Sequence, residues 1–335
     1  MATQYKGFKH LYETRLKPNL EQFEPQRKKV ALRVISVTII LFVICVIILY
    51  NWPNKPSFSD EGADDFYISF FVFFILGVGF FYKILTSSYR KKFKKDVVSH
   101  IVTFVDENLT YYPNRMITRT EFQKSLLGNY WRSIDIWSGE DYVEGMLGFT
   151  AVKFSEVHAQ HNSILKNEIE TIFQGLFFKF DFNKDFKGFT VVLPKQGSLS
   201  KWLKYGIGPG EQVKLAEPEF EQKFIVYSDN QITARYVLST DLMRRLLIFR
   251  SQLKRVVYFS FVNGTLYVGI SIDKDLFEPW VFRTLLNYNY IREFSEYMQL
   301  AKDIVEHFEL NTRILSKGIV NTSQETGSSI RFKKF

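Results

Sequence analysis

Two runs of almost unbroken apolar residues dominate the pattern of this chain, Val34–Tyr50 and Phe66–Leu85. A helix rises about 1.5 Å per residue, so roughly twenty residues cross a hydrocarbon core about 30 Å thick. The second run meets that length and carries no charge before Lys83. The first is shorter, and Arg33 extends it by snorkelling its head group to the interface. Tyr50, Trp52, Tyr67 and Tyr82 stand near the run ends, where amphipathic rings favour the head-group layer. Neither run has the polar face of a soluble helix. The long, mixed-charge stretch before the first run argues against a cleaved leader. The pattern predicts membrane helices over 30–50 and 66–85, joined by a short acidic turn over 51–65.

Before the spans, residues 1–29 read as amphipathic helical pieces. Phe8, Leu11, Tyr12 and Leu16 fall at helical spacing, and Pro18 ends or restarts the helix. After them, 86–129 forms a basic collar with juxtamembrane helices. A helix is expected from Arg90 to about Leu109, with Val97, Val98, Ile101, Phe104 and Val105 as its apolar stripe. A shorter helix follows over 118–127, where Thr118 and Glu121 resemble a capping box.

From about residue 130 the period shortens. Asp141–Phe154, with Gly145 and Gly148 as punctuation, Ile172–Phe182 and Phe189–Leu193 read as strand stretches, the last two joined by a turn over Asn183–Gly188. A connector, Gly206-Ile-Gly-Pro-Gly210, and a mixed stretch over 217–238 lead to a helix over Thr240–Leu253. Val256–Phe261 and Thr265–Ile270 flank Val262-Asn-Gly264, a strong hairpin signal. Pro279–Leu310 reads as largely helical, and 321–335 as a loose tail. Strands grouped between helices give an α+β domain over 130–320, with a mixed or antiparallel sheet and flanking helices.

Charge changes the picture. The net charge of the 335 residues is +9, which on its own suggests nucleic-acid binding. Yet residues 1–33 carry +5, 51–65 carry −3 and 83–95 carry +6, so 96–335 hold only +1. The basic excess is juxtamembrane: Arg27, Lys28, Lys29 and Arg33 before the first span, and Arg90, Lys91, Lys92, Lys94 and Lys95 after the second. These nine are expected to contact anionic lipid head groups, and no nucleic acid is expected as a partner. Cationic flanks stay on the cytoplasmic side. Both termini are therefore expected in the cytoplasm and the acidic turn outside. Cys45, the single cysteine, makes no intramolecular disulfide.

Candidate chemistry is sparse. Asp181-Phe-Asn-Lys-Asp185 opens like a calcium loop, but Phe186 and Val192 replace the glycine and the acid that such a loop requires. Glu156, His158 and His161 are close in sequence without enough ligands for zinc, so no metal is expected. Glu140, Asp141, Glu144 and His158 are the candidates for acid–base work. Glu217, Glu219 and Glu221 are read as solvated acids. Gly206–Gly210 lacks the Lys-Ser/Thr of a phosphate loop, and Pro209 removes an amide donor. Asp229 and Arg235 are the ligand-binding candidates, Arg235 as an anion binder and the pair otherwise as a turn-holding ion pair. No cofactor is indicated.

Several segments carry a resemblance. Glu140-Asp-Tyr-Val-Glu-Gly145, Phe173-Gln-Gly-Leu-Phe-Phe178, and Glu217-Pro-Glu-Phe-Glu-Gln-Lys-Phe-Ile-Val-Tyr-Ser-Asp-Asn-Gln231 running on to Ala234-Arg-Tyr-Val-Leu238 occur in that order. With Phe23-Glu-Pro-Gln-Arg27 ahead of the first span, the chain resembles the domain-of-unknown-function family 3137 of bacterial membrane proteins over about residues 5 to 315. The resemblance implies a bacterial inner-membrane protein with two spans and a cytoplasmic domain. It implies no activity, cofactor or site residue.

The resulting expectation is a membrane-anchored cytoplasmic module that binds a protein or small ligand, held near anionic lipid. The rival is a hydrolase or transferase acting at the membrane face through Glu140, Asp141, Glu144 or His158. A pocket uniting these with Arg235 would favour the rival.

Overall fold

The structure is a computed structural model that describes residues 2–53, 63–127, 133–163, 168–182, 184–195 and 210–311. Most of the expected external turn, residues 206–209 of the connector, Asn183 of the calcium-like loop and the 321–335 tail lie outside these residues. The chain divides into two units. One comprises Met1–Phe104 and Leu276–Glu296, the other Val105–Asp275 and Tyr297–Phe335.

In the first unit, α1 (Ala2–Leu11) passes through a π-type turn (Tyr12–Leu16) into α2 (Lys17–Asn51) without a break. Pro18 falls directly after the π-type turn, and the helix continues through it instead of ending there. Helix α3 (Ala63–Phe93) runs through a second π-type turn (Lys94–Val98) into α4 (Ser99–Val105). Phe23 meets Phe93, Phe42 meets Phe74 and Trp52 meets Phe66, at centroid separations of 6.1, 6.0 and 5.9 Å. These pairs make α2 and α3 an antiparallel hairpin.

Both helices are long and apolar enough to cross a membrane, and their apolar stretches are barely buried. A core helix of a soluble protein would be covered, so the exposure of Ile39, Phe42, Phe71 and Phe73 excludes that role. Outside the apolar stretches the same helices become ordinary packed elements. Leu16, Leu20, Phe23, Tyr89 and Phe93 are buried. Against them lies the segment 276–296. Its first part is irregular; α9 starts only at Tyr288 (Tyr288–His307), not at Pro279 as the sequence suggested.

The second unit is built on one sheet of nine antiparallel strands among the described residues, in the order β1-β2-β3-β4-β9-β8-β5-β7-β6. The strands are β1 (Leu109–Tyr112), β2 (Ile136–Leu147), β3 (Thr150–Ser163), β4 (Glu168–Asp181), β5 (Phe189–Pro194), β6 (Glu211–Val213), β7 (Phe224–Ser228), β8 (Val257–Val262) and β9 (Thr265–Ser271). Among the described residues it also holds α5 (Arg119–Lys124), α6 (Pro218–Lys223), α7 (Gln231–Val237), α8 (Thr240–Leu253) and, from Tyr297, the second half of α9.

Three expectations change here. Leu109 begins a strand, so the juxtamembrane helix ends at Val105. The expected strand stretch Asp141–Phe154 is two strands, turning at Gly148 with φ +62°. The segment after β4 is not a hairpin turn, because β8 and β9 lie between β4 and β5 in the sheet.

Both sheet faces are covered. Phe122 of α5 packs on Phe173 and Phe177 at 5.7 and 4.9 Å on one face. On the other, Phe249 of α8 and Phe308 contact Phe259 at 6.3 and 5.8 Å. Lys179 reaches Glu121 at 2.9 Å, so that carboxylate serves an ion pair while Thr118 alone caps α5 by accepting from the Glu121 N–H.

Candidate functional site

The ends of β5 and β7 and the start of α7 are joined by side chains that replace missing backbone bonds. The Phe189 N–H donates to Asp229 Oδ1 at 3.0 Å, and the Gly188 N–H to Asn263 Oδ1 at 2.9 Å. Ser228 Oγ donates to the Phe189 carbonyl at 2.6 Å. Asn230 caps α7, its Oδ1 accepting from the N–H groups of Ile232 and Thr233 at 2.8 and 3.0 Å. Gly188 has φ +92°, and a Cβ there would lie 2.3 Å from Asp229 Oδ2, so the close approach requires glycine.

These residues border a cleft of about 630 Å³ lined by Asp185, Phe186, Asp229, Ile232 and Tyr236 among others. Ile232 is 79% exposed and Tyr236 53% exposed, both on α7. Four residues apart, the two side chains lie on one face of the helix. At the far end of α7, Lys184 Nζ donates to the Tyr236 carbonyl at 2.8 Å. Burial pushes its ammonium below the ordinary lysine value.

Arg235 and Asp229 do not pair. Arg235 donates to the carbonyls of Gln231 and Lys214, at 3.2 and 3.4 Å, while Asp229 serves the β5 backbone. Asp229 is thus part of the cleft, and Arg235 points to another side of the helix.

A second cavity, of about 690 Å³, was not read from the sequence. Lys223, Arg250, Lys254 and Arg255 line it with Glu219 and Asp273. Among the described residues these four cations form no ion pair. Arg250 lies over the Phe224 ring at 5.1 Å, and Arg255 donates to Tyr297 Oη at 3.1 Å. Lys254 ends α8 in the left-handed region at φ 52°. The residues come from α6, α8 and the loop beyond it, so no local motif announces them.

The acidic candidates lie elsewhere, and each is engaged. Glu140 stands opposite Glu156 across β2 and β3, beside a bulge between Glu140 and Val143. Asp141 sits in that bulge, fully buried, at φ 61° and accepts from Tyr111 Oη. Glu144 accepts from Tyr142 Oη at 2.8 Å and faces Lys153 at 3.7 Å. Burial and that carboxylate push the Tyr142 phenol well above its ordinary value. His158 lies against Thr171 at 3.3 Å, and burial holds its imidazole below the ordinary value. His161 contacts Asp135 at 2.9 Å. Among the described residues no three His, Cys, Asp or Glu side chains converge on a metal position.

Arg235 does not join this cluster. Helix α7 follows β7, and five strand steps separate β7 from β3. At about 4.8 Å per step this is roughly 24 Å along the sheet.

Of the nine collar cations, three meet protein acceptors. Arg27 is buried, donating to Glu24 at 2.9 Å and to the Val281 carbonyl at 2.9 Å. Lys94 is 3% exposed and lies 2.8 Å from Glu278, which also accepts from Arg90. Their charges are held by protein acceptors, which corrects their assignment to lipid head groups. Lys28, Lys29, Arg33, Lys91, Lys92 and Lys95 remain exposed.

Residues 171–310 match the sequence model described as Protein of unknown function (DUF3137). The matched residues make up less than half of the chain. Both cavities fall inside the matched segment, whereas Glu140, Asp141, Glu144, His158 and the two apolar helices precede it. No curated protein matches the chain. Among solved structures it aligns with the crystal structure of the mycobacterial trehalose monomycolate transport factor A, TtfA. The identity is 10%, over 63% of this chain and 93% of that one, with a TM-score of 0.31.

Proposed function

We propose that the chain is a two-span inner-membrane protein that presents its α+β unit to the cytoplasm as a protein-binding module. The observation that carries the anchoring is the one-ended distribution of exposed charge on the hairpin. Lys28, Lys29 and Arg33 on α2 and Lys91 and Lys92 on α3 share one end, and Asp64 and Asp65 occupy the other. Cations at one end hold that end at the anionic cytoplasmic surface. The sheet unit continues from that end and is cytoplasmic on this reading.

The partner is read as a protein that docks on α7. Ile232 and Tyr236 supply apolar anchors, and Asp185 and Asp229 favour a contact segment that carries basic side chains. Asp141 and Glu144 on β2 are committed to Tyr111, Tyr142 and Lys153, so a binding role is preferred to a hydrolase or transferase.

The test is purification of the full chain in mild detergent, with stoichiometry of co-eluting proteins read by mass spectrometry. Ile232→Glu combined with Tyr236→Ser is expected to abolish a stoichiometric partner, while Ile248→Glu, at an exposed position on α8, retains it. Identical partner profiles for the two variants would contradict docking on α7.

A further inference from the structure

Within the first unit, the irregular segment ahead of α9 is fixed at four points. The Trp280 carbonyl accepts from Tyr89 Oη at 2.9 Å, and the Val281 carbonyl from Arg27 Nη1 at 2.9 Å. Glu24 Oε1 accepts from Thr284 Oγ1 and from the Leu285 N–H at 3.0 and 2.7 Å. Val281 and Leu285 are buried. Phe282, between these anchors, turns the other way and is 58% exposed. It is displayed by a rigid support.

What it is displayed beside decides its role. The Phe282 ring stacks on Tyr82, with centroids 6.4 Å apart and an interplanar angle of 26°. Tyr82 belongs to the second apolar run, just before that run ends at Leu85. Counting along the antiparallel hairpin from the Phe23–Phe93 and Phe42–Phe74 contacts places Tyr82 level with Val34, where the first run begins. Phe81 and Ile84, the neighbours of Tyr82 on α3, are 38% and 54% exposed. The apolar surface of Phe282 is therefore continuous with the outer edge of the apolar belt. Arg283 follows it, exposed, with its guanidinium 5.5 Å from the Trp280 ring. An apolar ring beside an exposed cation and an indole is the chemistry of the boundary between acyl chains and head groups.

We infer that the segment 280–286 is a third, non-spanning membrane contact, with Phe282 inserted at the acyl–head-group boundary and Arg283 among anionic head groups. This inference rests on the two-span reading of α2 and α3. It adds a membrane contact from a segment remote in sequence and too short to be read as a span.

The experiment uses the full chain with Cys45→Ser, carrying one environment-sensitive fluorophore on Phe282→Cys or, separately, on Ile40→Cys. Each protein is reconstituted in vesicles containing anionic lipid, with or without brominated acyl chains. Quenching by brominated lipid at both positions is the expected result. Quenching at position 40 without quenching at 282 would overturn the loop inference and leave the two spans standing. A blue-shifted but unquenched label at 282 would also overturn it, because a protein surface would then be covering the site. Loss of quenching at both positions would remove the two-span reading and the inference with it.

Discussion

Lys94 Nζ lies 2.8 Å from Glu278 Oε1, and the two side chains are 4% and 15% exposed. The pair joins the end of the α3 helix to the irregular segment before α9, and Arg90 shares the same carboxylate. Removing one partner of a buried pair costs about 3–5 kcal/mol, because a charge stays behind in a poorly solvated place. Glu278→Gln takes the carboxylate from two cations at once, whereas Lys94→Met leaves Arg90 on it. Thermal unfolding in detergent is expected to show the larger loss for Glu278→Gln. Equal stability of both variants and the parent would contradict a structural role for the pair.

Glu24 gives the same segment a pH dependence. Burial raises the pKa of its carboxyl, but Arg27, the Leu285 N–H and the Thr284 hydroxyl outweigh burial and hold it below the ordinary carboxylate value. A group depressed on folding contributes its stability above the unfolded value and loses it as pH falls through the folded one. Protection of the Leu285 amide from hydrogen exchange, corrected for intrinsic rate, is expected to hold at neutral pH. It should fall at acidic pH, below the ordinary carboxylate range. Glu24→Gln should remove this dependence. A parent protein with constant protection across that range would contradict it.

Gly188 tests the construction of the α7 cleft. Gly188→Ala places a Cβ against Asp229 at a φ that costs an L-residue about 1–3 kcal/mol. Denaturant unfolding should show a loss of that order. Measured against Asp229→Gly alone, which already lacks the bond to the Phe189 N–H, Gly188→Ala should cost less than it does in the parent, since the clash goes and the backbone strain stays. No cost in that background would mean that strain plays no part.

Asn230→Ala removes the cap of α7 and is expected to cost about 1 kcal/mol, with exchange of the Ile232 and Thr233 amides accelerated first. Uniform acceleration across the sheet unit would instead show that the cap has no local role.

His158 is half-buried, and burial keeps its imidazole below the ordinary value despite the Asp275 carboxylate nearby. Its ring resonances should titrate below the ordinary imidazole midpoint. A midpoint above it would show that a carboxylate, not burial, dominates.

Local features of the fold were legible wherever chemistry acts over a few residues. Asn263 and Gly264 have φ of 46° and 72°, as an Asn-Gly hairpin turn requires, and β8 and β9 pair across them. Helix α8 spans Thr240–Leu253 as its pattern predicts, with Ser239 capping it. The two apolar helices followed from length alone. Long-range pairing was not legible: nothing near Phe189 says that β5 joins β8 and β7 instead of β4. The start of α9 was misread because Val281 and Leu285 are buried as an irregular segment, where backbone carbonyls bind Tyr89 and Arg27. Lys94 looked like a lipid ligand because Glu278, its acceptor, is remote in the chain; Arg27 has one acceptor as remote, the Val281 carbonyl, and one three residues away, Glu24. The candidate cleft was half legible. Asp229 was singled out, but with Arg235, whereas its working neighbours are Gly188, Phe189 and Asn230.

The account depends most on which side of the membrane the sheet unit occupies. Fusion of an enzyme active only outside the cytoplasmic membrane reads this directly, with one fusion at Phe335 and another in the acidic turn at Ser59. The account predicts silence at Phe335 and activity at Ser59. Activity at Phe335 with silence at Ser59 would invert the orientation and contradict it.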